Sequence, residues 1–108
     1  MAKYLLLYAG GAGMMLTEAE RVAELERWGA WYGQLGAAVV DGGNPFAPAA
    51  KRVTADGRVV DGVAGAMATG YTIISADSLD QAAALAKGCP VINAGGEVTV
   101  YETFDVMM

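Results

Sequence analysis

The chain has 108 residues, of which 55% are hydrophobic and 18% charged, and its net charge is −5 at pH 7. This length accommodates one domain, residues 1–108, and the composition is typical of a globular protein rather than a disordered one. The seven basic residues are scattered among twelve acidic ones and form no basic stripe, which argues against nucleic acid as a partner.

Two residue types, cysteine and histidine, further narrow the possible classes of protein and kinds of site. A lone cysteine, Cys89, cannot form an internal disulfide, and no apolar run suggests a signal core or the roughly 20 apolar residues of a membrane helix. We therefore expect a cytoplasmic protein without membrane contact. The chain contains no histidine, the commonest general base and metal ligand, so we expect no metal and no other cofactor.

The first third of the chain predicts a strand and a long helix. Residues 3–8 form an apolar strand in which both faces are hydrophobic. Thr17 and Glu20 match the capping box that opens a helix, and the helix runs to about Leu35 before Gly36. Helical spacing predicts one apolar face and one charged face: Val22, Leu25, Trp28 or Gly29, Tyr32 and Leu35 on the first, Arg21, Glu24 and Arg27 on the second.

The rest of the chain predicts short strands and a second helix. Residues 38–40 read as a strand, residues 41–45 as a turn, and residues 51–54 and 58–61 as a hairpin around Asp56-Gly57. Residues 62–69 show no clear period. A strand over residues 70–74 precedes a helix from Ser78 to about Lys87, ended by Gly88 and Pro90, and a last strand covers residues 97–101.

This order predicts an α+β fold of the ferredoxin-like βαββαβ type, with two helices on one face of an antiparallel sheet. Two helices cover only one face of such a sheet. We expect the face with Tyr4, Leu6 and Tyr8 to be open and covered by a second copy, so that the chain forms a homodimer through its open sheet face.

Segments along nearly the whole chain match one family pattern, although each motif is short. They are residues 3–8, Gly42-Gly43 with Pro45 or Pro48, Arg52-Val53, Asp61-Gly62, residues 70–74, 79–82 and 89–90, and 96–100. In these segments the chain resembles the YCII-related (YciI-like) family, in the branch named for an Asp-Gly-Pro-Phe motif. The resemblance implies a dimeric α+β barrel with a pocket between sheet and helices or at the dimer interface.

The chain departs from that family at two points. Val63-Ala64 stands where the motif has Pro-Phe, and Gly65-Ala66-Met67 replaces the acidic and basic residues that usually follow. The histidine thought to be catalytic in the other branch is absent. The resemblance therefore implies little about catalysis.

Charged residues of the middle segment are the candidates for chemistry. Asp41 and Asp61 each end a short strand and could exchange protons if they met in a pocket, with Asp61 favoured by the family motif. Aspartate before glycine is equally ordinary turn chemistry. Arg52 could hold an anionic ligand through its planar fork, or lie on a solvated hairpin beside Lys51.

Aromatic residues are the candidates for ligand contact. Tyr4, Tyr8, Tyr71 and Tyr101 could share the face away from the helices, where they would line either a ligand pocket or a dimer interface. From this group Tyr8, Tyr71 and Tyr101 are the proposed ligand-binding residues, together with Arg52. Trp28 and Trp31 are expected in the core or an interface, and Cys89 is expected to be structural.

A glycine-rich stretch, residues 10–13, lies between the first strand and the first helix. It lacks the Lys-Ser/Thr pair of a phosphate loop and the third glycine of a dinucleotide fingerprint, so a flexible connection or a pocket lip is the favoured interpretation.

Two functions remain open on this sequence. The first is a small-molecule-binding or regulatory module for a small anionic or aromatic ligand. The alternative is an enzyme of the isomerase, lyase or dehydrochlorinase kind, with Asp61 or Asp41 as the acid–base group and Arg52 orienting an anionic substrate. In either case we expect residues 41–69 to carry the ligand selectivity.

Overall fold

The computed structural model describes residues 2–10 and 17–106. Most of the glycine-rich stretch at residues 10–13 lies outside these ranges, as do the methionine pairs at residues 14–15 and 107–108.

Six strands and three helices make up the described part of the chain. The strands are β1 (Ala2–Ala9), β2 (Val39–Asp41), β3 (Lys51–Val53), β4 (Val59–Asp61), β5 (Ala68–Ala76) and β6 (Glu97–Glu102). The helices are α1 (Glu18–Leu35), α2 (Leu79–Ala86) and α3 (Pro90–Asn93), and a 3-10 turn at Gly36–Ala38 leads from α1 into β2. The short helix α3 was not predicted; Pro90, expected only to follow a helix end, occupies its first turn.

The main sheet has the strand order β2-β5-β1-β6, and all neighbouring strands are antiparallel. Leaving aside the hairpin β3–β4, this is the order of the ferredoxin-like βαββαβ fold, so the predicted fold class is confirmed. The hairpin forms a separate two-stranded sheet inserted between β2 and β5. Its turn is the predicted one, with Gly57 at φ +86°.

The two longer helices begin where the sequence places their caps. Thr17 Oγ1 accepts the Glu20 N–H at 3.2 Å, and the Thr17 N–H donates to Glu20 Oε1 at 3.1 Å. Ser78 Oγ likewise accepts the Gln81 N–H at 3.1 Å. Each cap satisfies backbone donors that the first helical turn leaves without a partner.

The face of β1 that packs against the helices is the opposite of the one we expected. Tyr4, Leu6 and Tyr8 point toward the helices and are buried, whereas Leu5 and Leu7 lie on the open face and are half-buried. Both faces of this strand are apolar, so the alternation could not say which face the helices cover. The core under the helices is completed by residues from β5 and the helices: Ile74, Trp31, Leu35, Ala82, Ala86 and Cys89.

The packed face of α1 also differs from the predicted one. Val22 and Leu25 are 52% and 72% exposed, whereas Trp31 and Leu35 are buried. The Trp31 Nε1–H donates to the Leu85 carbonyl at 3.1 Å and so links α1 to α2. The C-terminal half of α1 therefore carries the core contact, whereas Val22 and Leu25 in its N-terminal half stay exposed. None of the helices in the described ranges is long and apolar enough to cross a membrane.

Candidate functional site

A cavity of about 480 Å³ lies on the helix side of the sheet, between α1 and the segment that joins β2 to the hairpin. This volume falls in the range of small-molecule sites. The lining residues come from β1, α1, the β2–β3 connection, β5 and α3: Tyr8, Gly10, Arg21, Glu24, Leu25, Trp28, Tyr32, Gly42, Gly43, Asn44, Pro45, Thr69, Gly70, Tyr71 and Val91.

Aromatic rings form the wall of this cavity. The Trp28 ring lies edge-on to Tyr8, with ring centroids 5.3 Å apart, and tilted against Tyr32 at 5.8 Å. Trp31 backs both rings from the core, at 5.7 Å from Trp28 and 5.4 Å from Tyr32. Such pairs hold each other in place, so the wall is a rigid apolar surface suited to a flat, apolar molecule.

A network of three hydroxyls and one carbonyl joins Tyr8 and Tyr32 of the aromatic wall to Thr72 and Gly42. Tyr8 Oη donates to Thr72 Oγ1 at 2.6 Å, and Thr72 Oγ1 donates to the Gly42 carbonyl at 3.1 Å. Tyr32 Oη donates to the same carbonyl at 2.9 Å and lies 3.2 Å from Thr72 Oγ1. Thr72 is fully buried, so this network satisfies a polar group that would otherwise be costly in the core.

Burial controls the ionisation of the groups near this network. It raises the pKa of the Tyr8 phenol far above its ordinary value of 10.0, and the hydrogen bond to Thr72 offsets only part of the effect. Burial likewise raises the pKa of the Cys89 thiol above 9.0. Both groups are therefore neutral at physiological pH, and Cys89 has none of the features of a reactive thiolate.

A tight turn after β2 shapes the far side of the cavity. Gly43 adopts φ +70° and packs so closely on β5 that a Cβ built there would lie 1.7 Å from the Tyr71 carbonyl oxygen. Asp41 Oδ1 accepts the Gly43 N–H at 2.8 Å and fixes the turn. Only glycine fits this position, and the turn places the Gly42 carbonyl against the hydroxyl network.

Two charged residues of α1 border the cavity, contrary to the prediction that both belong to a solvent face. Arg21 and Glu24 belong to its lining. Glu24 Oε2 also accepts a hydrogen bond from Arg27 Nη1 at 2.9 Å. Charge is therefore present at the rim near α1, whereas the inner wall is aromatic.

The structure does not bring the predicted acid–base and anion-binding residues together. Asp41 lies beside the cavity, next to the lining residues Gly42 and Gly43, and Tyr71 Oη donates to its Oδ2 at 3.4 Å. Asp61 lies in the separate hairpin sheet, where Lys51 Nζ donates to its Oδ1 at 2.6 Å, and its side chain is 89% exposed. Arg52 is exposed on the same hairpin.

The predicted tyrosines separate into two groups, which corrects the expectation of a shared open face. Tyr8 lies under the helices, in the cavity wall, and Tyr4 is buried on the same side. Tyr71 pairs with Leu7 on the open face, and its ring stacks on that of Phe46 with the centroids 5.9 Å apart. At the edge of the sheet Tyr71 also belongs to the cavity lining. Tyr101 pairs with Leu5, is 51% exposed and is not among the lining residues.

Within residues 2–10 and 17–106, no three cysteine, aspartate or glutamate side chains are grouped so that they could hold a metal ion.

Sequence reasoning missed the α1 side of the cavity and the buried hydroxyl network, although it named Tyr8 and Tyr71 as ligand-binding candidates. Trp28 was assigned to a core or interface, Tyr32 to the packed face of α1, and Thr72 was one residue of an apolar strand. The lining includes Gly42 to Pro45 and Thr69 from the predicted selectivity segment, but the aromatic wall comes from β1 and α1. Thr72, a single polar residue at an inward-facing position of β5, was the one signal in the sequence for the buried hydroxyl network. Threonine is common in strands in any case, because its branched side chain packs well there.

Comparison with solved structures finds a likeness over nearly the whole chain. The structure is similar to that of 5-chloro-2-hydroxyhydroquinone dehydrochlorinase (TftG) from Burkholderia phenoliruptrix AC1100, solved in complex with 2,5-dihydroxybenzoquinone. The TM-score is 0.57 at 18% sequence identity, over 92% of this chain and 90% of that one. No protein-family model and no curated protein matches the chain. At this identity the likeness shows a shared fold.

Proposed function

We propose that this chain is a YCII-like small-molecule-binding protein whose ligand is a compact aromatic molecule held in the helix-side cavity. The observation that carries the proposal is the wall of Tyr8, Trp28 and Tyr32 around a cavity of about 480 Å³. An aromatic ligand would continue the edge and tilted ring contacts already present there. The complex of the structural neighbour with a dihydroxybenzoquinone supports the same ligand class.

A thermal-shift screen with small phenols, quinones and aromatic acids tests this proposal. A ligand at one hundred times its Kd stabilises the folded state by about 2.7 kcal/mol. Trp28→Ala should weaken binding of any hit at least tenfold, because it removes the ring that contacts both tyrosines. Leu79→Ala is the matched control, since Leu79 is an exposed apolar residue of α2 outside the lining. Equal loss of binding in both variants, or full binding by Trp28→Ala, would contradict the proposed site.

We also propose that the open face of the sheet is covered by a second copy of the chain. Leu5, Leu7 and Ile73 share this face and remain partly exposed in the single chain. Tyr101, next to Leu5 on the same face, would then be an interface residue.

An enzymatic role is the second candidate, and the name of the structural neighbour favours it. That protein is a dehydrochlorinase, and the two chains share their fold over nearly their whole lengths. Here the acid–base group would be Asp41 or Asp61, with Arg52 orienting an anionic substrate. Asp41 is the better placed, because it adjoins the cavity lining and its carboxylate is exposed.

Chloride release from chlorinated hydroxyhydroquinones tests the enzymatic role. If the protein is a dehydrochlorinase that uses Asp41, Asp41→Asn should abolish turnover, whereas Asp61→Asn, on the hairpin, should retain it. The amide of Asp41→Asn keeps an oxygen that can accept the Gly43 N–H, so the turn is preserved. Turnover that survives in Asp41→Asn would exclude this residue as the acid–base group.

A further inference from the structure

The hydroxyl network that joins Tyr8 and Tyr32 of the aromatic wall to Thr72 and Gly42 contains fewer protons than contacts. Tyr8, Tyr32 and Thr72 each carry one hydroxyl proton, and the Gly42 carbonyl carries none. These four groups make the contacts Tyr8–Thr72, Tyr32–Thr72, Tyr32–Gly42 and Thr72–Gly42. Three protons therefore serve four contacts, and all three are engaged inside the network. The Cys89 thiol is a further hydrogen-bonding neighbour of Tyr8.

The carbonyl limits the directions of these hydrogen bonds. The Gly42 oxygen can only accept, so it takes the proton of Thr72 at 3.1 Å, that of Tyr32 at 2.9 Å, or both, and either hydroxyl can donate to the other across their 3.2 Å contact. With the Thr72 proton used in this way, Tyr8 is the donor in the 2.6 Å contact between Tyr8 and Thr72. The phenol of Tyr8 keeps its proton because its raised pKa leaves it neutral.

What the network can offer a ligand is therefore a set of lone pairs. Each phenol oxygen retains acceptor capacity after donating its proton, and Tyr8 and Tyr32 both belong to the cavity lining. A ligand group that accepts hydrogen bonds would meet only acceptors here, unless Tyr32 gives up its bond to Gly42. A ligand group that donates a hydrogen bond meets a partner without disturbing any contact.

We propose that the inner end of this cavity selects aromatic ligands that donate a hydrogen bond, namely neutral phenols, over ligands that only accept, such as ethers and phenolate anions. This inference rests on the proposed function and specifies its ligand class. The lining also contains hydrogen-bond donors away from the network, at the Arg21 guanidinium and the Asn44 amide. The proposed preference for donating ligands is therefore a property of the network and not of the whole cavity.

Matched pairs of probes test the selection: 4-nitrophenol against 4-nitroanisole, and hydroquinone against 1,4-dimethoxybenzene. Within each pair only hydroxyl protons are replaced by methyl groups, one in the first pair and two in the second. Calorimetric titration should give at least about five-fold tighter binding of the phenol, the equivalent of one ordinary hydrogen bond. Binding of 4-nitrophenol should also weaken as the pH rises through the pKa of the ligand, because its phenolate can only accept.

Variants of the network tyrosines test whether the preference for phenols over ethers arises from the network. Tyr32→Phe should reduce the ratio within each pair, and the double variant Tyr8→Phe/Tyr32→Phe should bring it to about one. Both variants leave the Thr72–Gly42 bond intact, so no buried donor loses its partner. Tyr4→Phe is the control: Tyr4 is buried on the same strand face, but its hydroxyl bonds to Glu102, outside the network, and it should keep the ratio of the unmodified protein.

The outcomes separate the two proposals. Equal or tighter binding of the ethers, tighter binding of the phenolate, or a preference that survives in the double variant would overturn the donor selection and leave the aromatic site standing. If neither member of either pair binds, the proposed aromatic site and the inference that rests on it both fail.

Discussion

Replacing Gly43 with alanine is expected to destabilise the protein by at least about 2 kcal/mol and to abolish ligand binding. The added Cβ would lie 1.7 Å from the Tyr71 carbonyl oxygen, a backbone atom of the central sheet that cannot move aside cheaply. The residue would also have to hold φ +70°, a conformation that alanine disfavours. The turn would have to open, and the Gly42 carbonyl would move away from Thr72 and Tyr32. Urea unfolding and calorimetric titration measure the two effects.

Two other glycines separate the causes of this loss. Gly42→Ala meets no atom within 4 Å and needs no positive φ, so its effect on the free energy of unfolding should stay within about 0.5 kcal/mol. Gly62→Ala also meets no atom but requires φ +87°, and should cost about 1 kcal/mol from backbone strain alone. If Gly43→Ala lowers the free energy of unfolding no more than Gly62→Ala does, the close approach to Tyr71 does not constrain the turn.

Leu6→Ala is expected to cost 2–5 kcal/mol, in the range of large-to-small substitutions in a packed core. Leu6 is fully buried between the helices and the sheet, and it neighbours Thr72 on β5 and Val100 on β6. The midpoint of thermal unfolding should fall by roughly 10 °C or more. The free energy from urea unfolding, measured with an unchanged slope against denaturant, checks the prediction.

Leu5→Ala is the matched substitution on the other face of the same strand. Leu5 is half-buried in the single chain and faces away from the helices. Its substitution should cost only about 1 kcal/mol within one chain, but should weaken the proposed dimer, so that light scattering shows dissociation at higher concentration than for the unmodified protein. A stability loss in Leu5→Ala as large as that in Leu6→Ala, without any change in association, would contradict the assignment of the two faces.

Local signals in the sequence were enough to predict the strands, the two longer helices and their order, but not the short helix α3. The capping box at Thr17 and Glu20 opens α1, Ser78 opens α2, and Asp56-Gly57 closes the hairpin. Each of these signals acts through bonds within a few residues, so no distant part of the chain can reverse it. With the order of elements known, the ferredoxin-like sheet followed from the rules that connect strands and helices.

Local signals did not determine which side of an element is buried. β1 is apolar on both faces, so its alternation is compatible with either orientation. In α1 the spacing of Val22 and Leu25 matches that of Trp28 and Leu35, yet only the C-terminal half packs on the sheet. The side that is buried is decided by which residues of other elements fill the space, here the contact of Trp31 with Leu85 of α2.

The sequence by itself thus determined the strands, the two longer helices, their order and the fold class, because caps, turns and periodicity are short-range. Only the tertiary structure decided the site. Tyr8, Tyr32, Gly42 and Thr72 come from four separate places in the chain, and their hydroxyl network exists only where β1, α1 and β5 meet. The physical reason is that three of the network's four contacts join residues 30 or more positions apart, and such contacts depend on how whole elements pack, which no local pattern records.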